Sequence, residues 1–462
     1  MVFPNKIKLV LLVIGFNINA TYAQVNIEGS ININVSTGHI TCDFELSNIP
    51  KITSYVILLN KGMNIKYFKN SNSEELINYD GYYNGKIKGE GIQYTFADNF
   101  RNNIELPNSF KISYSGAFPI YNNELASFDY KGKIVVNEKT FRASEQSKWY
   151  PVIYDIENDR LLENVTYSIK VTTASDNTIF INGNPPTNGN NTLLKSKKAV
   201  PLLLFVGDYD YVNENGNYIL NANIDTPTSS RIFKEIEKIK QIYAEKLKLE
   251  FDDDIFIIKH RAVKPIPQGG AWGFNSYPSF LFAGLDFSQL VVEGHTMSPK
   301  NVLFFAHELG HNYFGNNVNS GKLSWFWVES TAQFLSFIIA QEINGKEFID
   351  KTLVQYAGAL KTRAFKPLAT IENPKEISLE YRLIYGPLIW QCFKDIFGAD
   401  ITYKVLNELV NVSEQETLSI EIWKKAAIKY GVENEKINEF VTNFLKDSNA
   451  MNNVVDSIIK NH

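Results

Sequence analysis

Two histidines stand four residues apart in the stretch "VLFFAHELGHNYFG", residues 302–315, with a glutamate beside the first. No other feature constrains this chain as tightly. Ser298-Pro299 opens a helix ahead of it. The serine hydroxyl can accept from a free N–H of the first turn, and proline fits the first helical position, where its missing N–H is not needed. Gly315 offers a stop. On such a helix His307 and His311 share one face, one turn apart, and two neutral imidazoles so placed can grip one zinc ion. Glu308 lies one residue round the helix. It is badly placed to bind the same ion but well placed to reach a water on it, as the base that later passes the proton to a leaving amine. The preceding residues Val302–Ala306 are apolar. Burying two imidazoles and a carboxylate beside them is costly unless a metal ion pairs them.

A catalytic zinc takes a third protein ligand and leaves a fourth position for water. The next apolar stretch, "LSWFWVESTAQFLSFIIAQ", carries a single charge, Glu329. Ser324 can cap that second helix. A buried carboxylate there wants a cation, although a first-turn glutamate also meets the helix dipole favourably. Two helices facing each other across a short turn bring Glu329 to the same ion. The expected set is one Zn2+ on His307, His311 and Glu329, with Glu308 as base.

The rest of the chain frames this site. "MVFPNKIKLVLLVIGFNINATYAQ" reads as a signal peptide over residues 1–23: Lys6 and Lys8, a short apolar run, then Thr21-Tyr22-Ala23 as a cleavage site. The expectation is export, to the periplasm or outside the cell. The apolar run is too short to span a bilayer comfortably, and no later stretch reads as a membrane span. Residues 24–200 hold short segments rich in Ile, Val, Tyr and Phe, parted by Gly, Asn, Asp and Pro, which suggests a β sandwich or saddle of sheets. "INGNPPTNGNNTLL", residues 181–194, reads as a turn-rich loop.

Residues 201–462 change character. "SSRIFKEIEKIKQIYAEKLKLE" has apolar residues at helical spacing, "DIFIIKH" reads as a strand, and "KPIPQGGAWGFNSYPSFLFAG", residues 264–284, reads as a Gly/Pro/aromatic loop. Helices are expected at 299–314, 324–343, 347–362, 379–397, 401–411, 417–430 and 433–446. The fold class is therefore α+β, in two domains. A net charge of −4 without a basic run argues against a nucleic-acid partner. Cys42 and Cys392 fall in different domains and read as inert buried thiols, not a disulfide framework.

The stretch "AHELGHNYFGNNVNSGKLSWFWVESTAQF" resembles the catalytic core of the aminopeptidase N family of zinc peptidases, in the gluzincin clan. After H-E-x-x-H, that family has a W-x-G-N turn, matched here by Phe314-Gly315-Asn316. It then has W-L-N-E-G, matched by Trp327-Val328-Glu329-Ser330, one residue closer than the family spacing. The resemblance is strong over residues 265–335. It implies a β-rich N-terminal domain followed by a thermolysin-like, mainly helical zinc-peptidase domain, acting on peptide or protein substrates.

Two departures stand out. The family's G-x-M-E-N segment supplies a glutamate for the substrate's free α-amine. Here "QGGAWGFN" stands in its place: Gly269, Gly270 and Ala271 match and would line the substrate cleft, but Trp272 falls where the glutamate is expected. The family's Y-E-K-G tyrosine stabilises the oxyanion. In "LEYRLIYGPLIWQCF", alignment on the glycine puts Leu383 at that position, and a small shift offers Tyr385, with Tyr381 as the alternative. The expected function is an exported zinc-dependent peptidase resembling aminopeptidase N. Without the amine-binding acid, an endopeptidase of the same fold and a catalytically weakened zinc-containing binding module stay open. The retained Glu308 speaks against the last.

Overall fold

The computed structural model describes residues 24–83, 90–121, 130–137, 139–251, 253–260, 272–291, 297–315, 318, 320–413 and 416–462. The expected signal segment and Gly269, Gly270 and Ala271 lie outside them.

The N-terminal strands follow the alternation of their sequences. In Asn26–Asn34, Ile27, Ile31 and Ile33 are buried between polar neighbours. This strand pairs antiparallel with His39–Ser47 and parallel with Asn164–Ile181, inside a ten-stranded sheet. A second sheet of five strands has Tyr55–Asn60 at its centre, with all six residues buried. Phe44, Phe68, Phe96, Phe110, Tyr114 and Trp149 fill the core of this domain.

The segment 181–194 is not simply a loop. After a turn, Thr187–Pro201 pairs antiparallel with Asn164–Ile181. Its asparagines, glycine and lysines carry little strand signal of their own, and the 18-residue partner supplies the ladder. Leu204–Gly207 joins the same sheet, so the N-terminal β structure runs past residue 200.

A third sheet orders Tyr211–Glu214, Asn217–Leu220, Phe256–His260, Ser279–Ala283 and Trp272–Ser276. The second half of the expected loop 264–284 is thus a hairpin, Trp272–Ser276 with Ser279–Ala283. Alternate residues of this sheet face opposite cores. Ile219, Ile257, Phe280 and Phe282 turn to the helices, while Leu220, Phe256, Ile258 and Leu281 meet Phe180 and Phe205 of the N-terminal domain.

The helices are α1 (Thr226–Leu247), α2 (Pro299–Gly310), α3 (Thr331–Asn344), α4 (Lys346–Leu360), α5 (Gly386–Phe397), α6 (Ala399–Ser413), α7 (Ile420–Lys429), α8 (Asn434–Phe440) and α9 (Ala450–Asn461). α9 was not expected from the sequence. Two expected helices begin with a π-helical turn, Phe326–Ser330 before α3 and Tyr381–Tyr385 before α5. Trp327, Trp390 and Trp423 cluster at the centre, with the last two rings 4.2 Å apart. Cys42 and Cys392 are free and buried in separate cores. Among the described residues, no helix is long and apolar enough to cross a membrane.

Candidate metal centre

The helix that carries the motif starts as its sequence requires. Ser298 Oγ accepts from the Asn301 N–H at 3.3 Å, and Pro299 takes the first position. α2 ends at Gly310, with His311 as its C-terminal cap. Gly310 permits a close crossing of α3: a Cβ there would stand 3.2 Å from the Ala332 Cα. A Cβ at Gly315 would meet the His311 carbonyl oxygen at 2.2 Å, so the turn after the motif needs glycine.

The three expected ligands converge. The Nε2 atoms of His307 and His311 are 3.1 Å apart. Glu329 Oε2 lies 3.4 Å from the first and 3.9 Å from the second. One ligand atom from each residue lies within 4.8 Å of the others. His311 Nδ1 donates to the Phe314 carbonyl at 3.1 Å, so Nε2 presents its lone pair to the shared point.

The charges tell the same story. Burial pushes His311 down to about 4, which keeps it neutral. Burial works to raise Glu329, but the hydrogen bond from His307 and the two imidazoles outweigh it and bring the carboxyl down to about 2. Burial likewise opposes a proton on His307, yet Glu329 and Glu308 hold its pKa above the ordinary value. The Glu329 carboxylate thus stands where a cation can compensate its charge. Two imidazole nitrogens and one carboxylate are a catalytic zinc donor set, and these residues fit that ion.

Glu308 is buried, and its Oε2 has no hydrogen-bond partner. Burial pushes its carboxyl up to about 7, against the pull of His307 and Lys131.

Lys131 and Arg382 were missed by the sequence reading. Lys131 comes from the N-terminal domain, where it forms an ion pair with the buried Glu145. Its Nζ donates to the Asn275 carbonyl at 2.5 Å, and Asn275 Nδ2 donates to Asn312 Oδ1 at 3.0 Å, beside His311. No local pattern announces a side chain arriving from another domain. Arg382 belongs to the turn Tyr381–Tyr385, and its guanidinium lies 3.7 Å over the Trp325 ring. It stands next to Tyr381, but sequence spacing alone did not tell which side of that turn faces the ligands.

Of the four expected substrate-binding residues, only Trp272 is described. It sits on the edge strand of the third sheet, stacked on Phe274 at 5.9 Å and edge-on to His260. Both tyrosines are wholly buried. Tyr381 donates to the Lys366 carbonyl at 3.2 Å. The Tyr385 hydroxyl has no hydrogen-bond partner, and its ring stacks on Phe365 at 5.7 Å.

No family model and no curated protein matches this sequence. Solved structures do. The M1 zinc metallopeptidase from Deinococcus radiodurans superposes with a TM-score of 0.64 at 11% identity, over 92% of this chain and 94% of that one. A mutant of it bound to a Tyr-Ser-Ala substrate gives 0.62. Native yeast LTA4 hydrolase gives 0.63 at 12% identity, over 90% of this chain and 66% of that one, so this chain spans a little under two thirds of its length. At this identity the likeness is one of fold alone: a β-rich N-terminal domain joined to a helical C-terminal domain, an architecture shared with the M1 zinc metallopeptidase and LTA4 hydrolase.

Proposed function

We infer that this chain is a divergent zinc-dependent peptidase of the M1 type, exported from the cytoplasm, that hydrolyses peptide bonds. One observation carries the reading. His307, His311 and Glu329 converge on one point beside Glu308, a buried carboxyl with a free oxygen. A structural zinc site has no use for that fourth group. The binding of a peptide substrate by a mutant of the Deinococcus protein, on the same fold, supports a peptide as substrate here.

The chain's own residues then divide the work. His307, His311 and Glu329 would hold the ion. Zinc, when bound, polarises a carbonyl and makes water acidic enough to lose a proton near neutral pH. Glu308 accepts that proton and returns it to the leaving nitrogen. The edge strand Trp272–Ser276 offers backbone groups to an extended peptide. A donor to the carbonyl oxygen is assigned to the turn Tyr381–Tyr385, with Tyr385 as the sequence candidate.

A second reading, endopeptidase action, is favoured by one feature. Trp272 replaces the acid that selects a free amine in the family, and Glu145, the carboxylate that the N-terminal domain brings to the edge strand, is engaged by Lys131 in an ion pair. Peptides with free and blocked N-termini, assayed in parallel with and without chelator, test these readings. Chelator-sensitive cleavage of the free-amine set alone supports an aminopeptidase. Cleavage of blocked peptides supports an endopeptidase. Full zinc occupancy with no cleavage of either would leave only a binding module.

A further inference from the structure

We propose that Arg382, and neither of the tyrosines beside it, donates to the carbonyl oxygen of the scissile bond as negative charge builds there. The proposal rests on the peptidase reading and names a residue that the sequence did not single out.

The geometry starts from the two π turns. They pack so closely that a Cβ on Gly386 would stand 2.0 Å from Ser330 Oγ. Each turn therefore keeps only one face open. From Leu323 to Ala340, Trp325 and Glu329 alone escape full burial. From Tyr381 to Phe393, only Arg382, Leu383 and Ile384 do. Of these three, arginine alone carries a polar head.

Arg382 is also fixed in place. Its guanidinium lies 3.7 Å over Trp325, four residues before Glu329 and on the same side of that helix. Its Nε donates to the Ile377 carbonyl at 3.0 Å. Stacking and that one bond leave the terminal N–H groups of the fork for a ligand. No hydrogen bond engages them among the described residues. The guanidinium stands close enough to the Glu329 carboxylate for the two charges to attract.

The tyrosines lack this access. Tyr381 spends its hydroxyl on the Lys366 carbonyl, and Tyr385 is enclosed with no exposed surface.

The step balances without a proton from arginine. Water oxygen bonds to the carbonyl carbon, the π pair moves to the carbonyl oxygen, and the water proton goes to Glu308. On collapse the π bond re-forms and the C–N bond breaks. The departing nitrogen keeps the pair and takes the proton from Glu308. Arg382 meets the oxyanion through two N–H groups and a fixed positive charge, and does not titrate.

The test uses the zinc-loaded full chain with Arg382→Gln, Arg382→Lys and Tyr385→Phe. Turnover gives kcat and KM. Calorimetry in a Glu308→Gln background gives affinities for a phosphinic peptide, a tetrahedral anion, and for the matching amide peptide. Arg382→Gln is expected to lower kcat about 10²–10³-fold, as for loss of an oxyanion donor. KM, zinc content and amide affinity should stay near parent values, while phosphinic affinity falls by a similar factor. Arg382→Lys, which keeps the charge and loses the fork, should fall between and serves if the glutamine variant misfolds.

The proposal is overturned if Tyr385→Phe alone gives this signature. It is also overturned if Arg382→Gln weakens amide and phosphinic peptides equally, which would make Arg382 an anchor for the substrate and not for the charge that develops on it. A parent chain without chelator-sensitive turnover would sink the peptidase reading only. The phosphinic arm would still decide Arg382.

Discussion

Burial, helped by the charge of Glu329, pushes the Glu308 carboxyl up to about 7, and one of its oxygens is unpartnered. A carboxyl in that condition is unstable in a resting core and useful beside an ion that restores its charge. Glu308→Gln should therefore keep the three ligands and the bound zinc, yet lower kcat by about 10²–10⁴-fold, the range for a lost general base. Metal analysis beside steady-state kinetics checks this, and near-parental turnover would refute the role. The ligands make a second expectation. Zinc binds the folded site and not the unfolded chain, so at about 100 times its dissociation constant it adds about 2.7 kcal/mol of stability. Chelation should lower the melting temperature of the parent and leave that of His311→Ala almost unmoved. Equal shifts in both would place the ion elsewhere.

At the level of elements, the two π turns decide how the ligands meet. The sequence reads 324–343 and 379–397 as plain helices, because one extra residue in a turn barely alters a hydrophobic pattern. In the structure each helix opens with a widened turn, and the widened turns touch at Gly386 and Ser330. A Cβ at Gly386 would meet both Ser330 Oγ at 2.0 Å and Ser330 Cβ at 2.5 Å. Gly386→Ala should destabilise by about 1–3 kcal/mol, the usual cost of overpacking, and should also weaken zinc by shifting Glu329. Ser330→Gly in the same chain should recover much of both losses. Melting curves and zinc titrations of the single and double variants test it: no recovery means the strain lies elsewhere.

The whole molecule adds two seams. At the first, Glu145 accepts from Ser276 Oγ at 2.7 Å and Asn182 Nδ2 donates to the Ser276 carbonyl at 2.7 Å, so the N-terminal domain holds the cleft's edge strand. At the second, His462 beyond α9 bridges α4 and α5. Its Nδ1 meets Asp350 Oδ1 at 2.8 Å and its Nε2 meets Asp395 Oδ2 at 3.0 Å. The hydrogen bond to Asp395, helped by Asp350 and opposed by burial, raises the imidazole pKa. Lys346 and Gln391 also contact these carboxylates. A raised folded pKa gives stability that is fully present below the unfolded value and is lost as pH rises through the folded one. His462→Gln should therefore melt well below the parent at about pH 6, with the gap closing as pH rises further. A gap that widens with pH would refute the bridge.

How much of this was legible depends on how local the cause is. The motif helix, its cap and the pair His307 and His311 follow from residues within one turn of each other, where periodicity and capping chemistry act. Glu329 was legible because one charge in a buried run asks for a partner. The strand Thr187–Pro201 was not, since its ladder belongs to a partner strand and not to its own composition. Helix α9 also escaped the sequence reading, although it is apolar on one face. Lys131 and Arg382 were beyond reach for the same reason in stronger form: one crosses a domain seam, the other is turned outward by a widened turn. The sequence alone determined which atoms could bind an ion. Only the tertiary structure decided which charges surround it, because burial and Coulomb forces act through space between residues the chain keeps far apart.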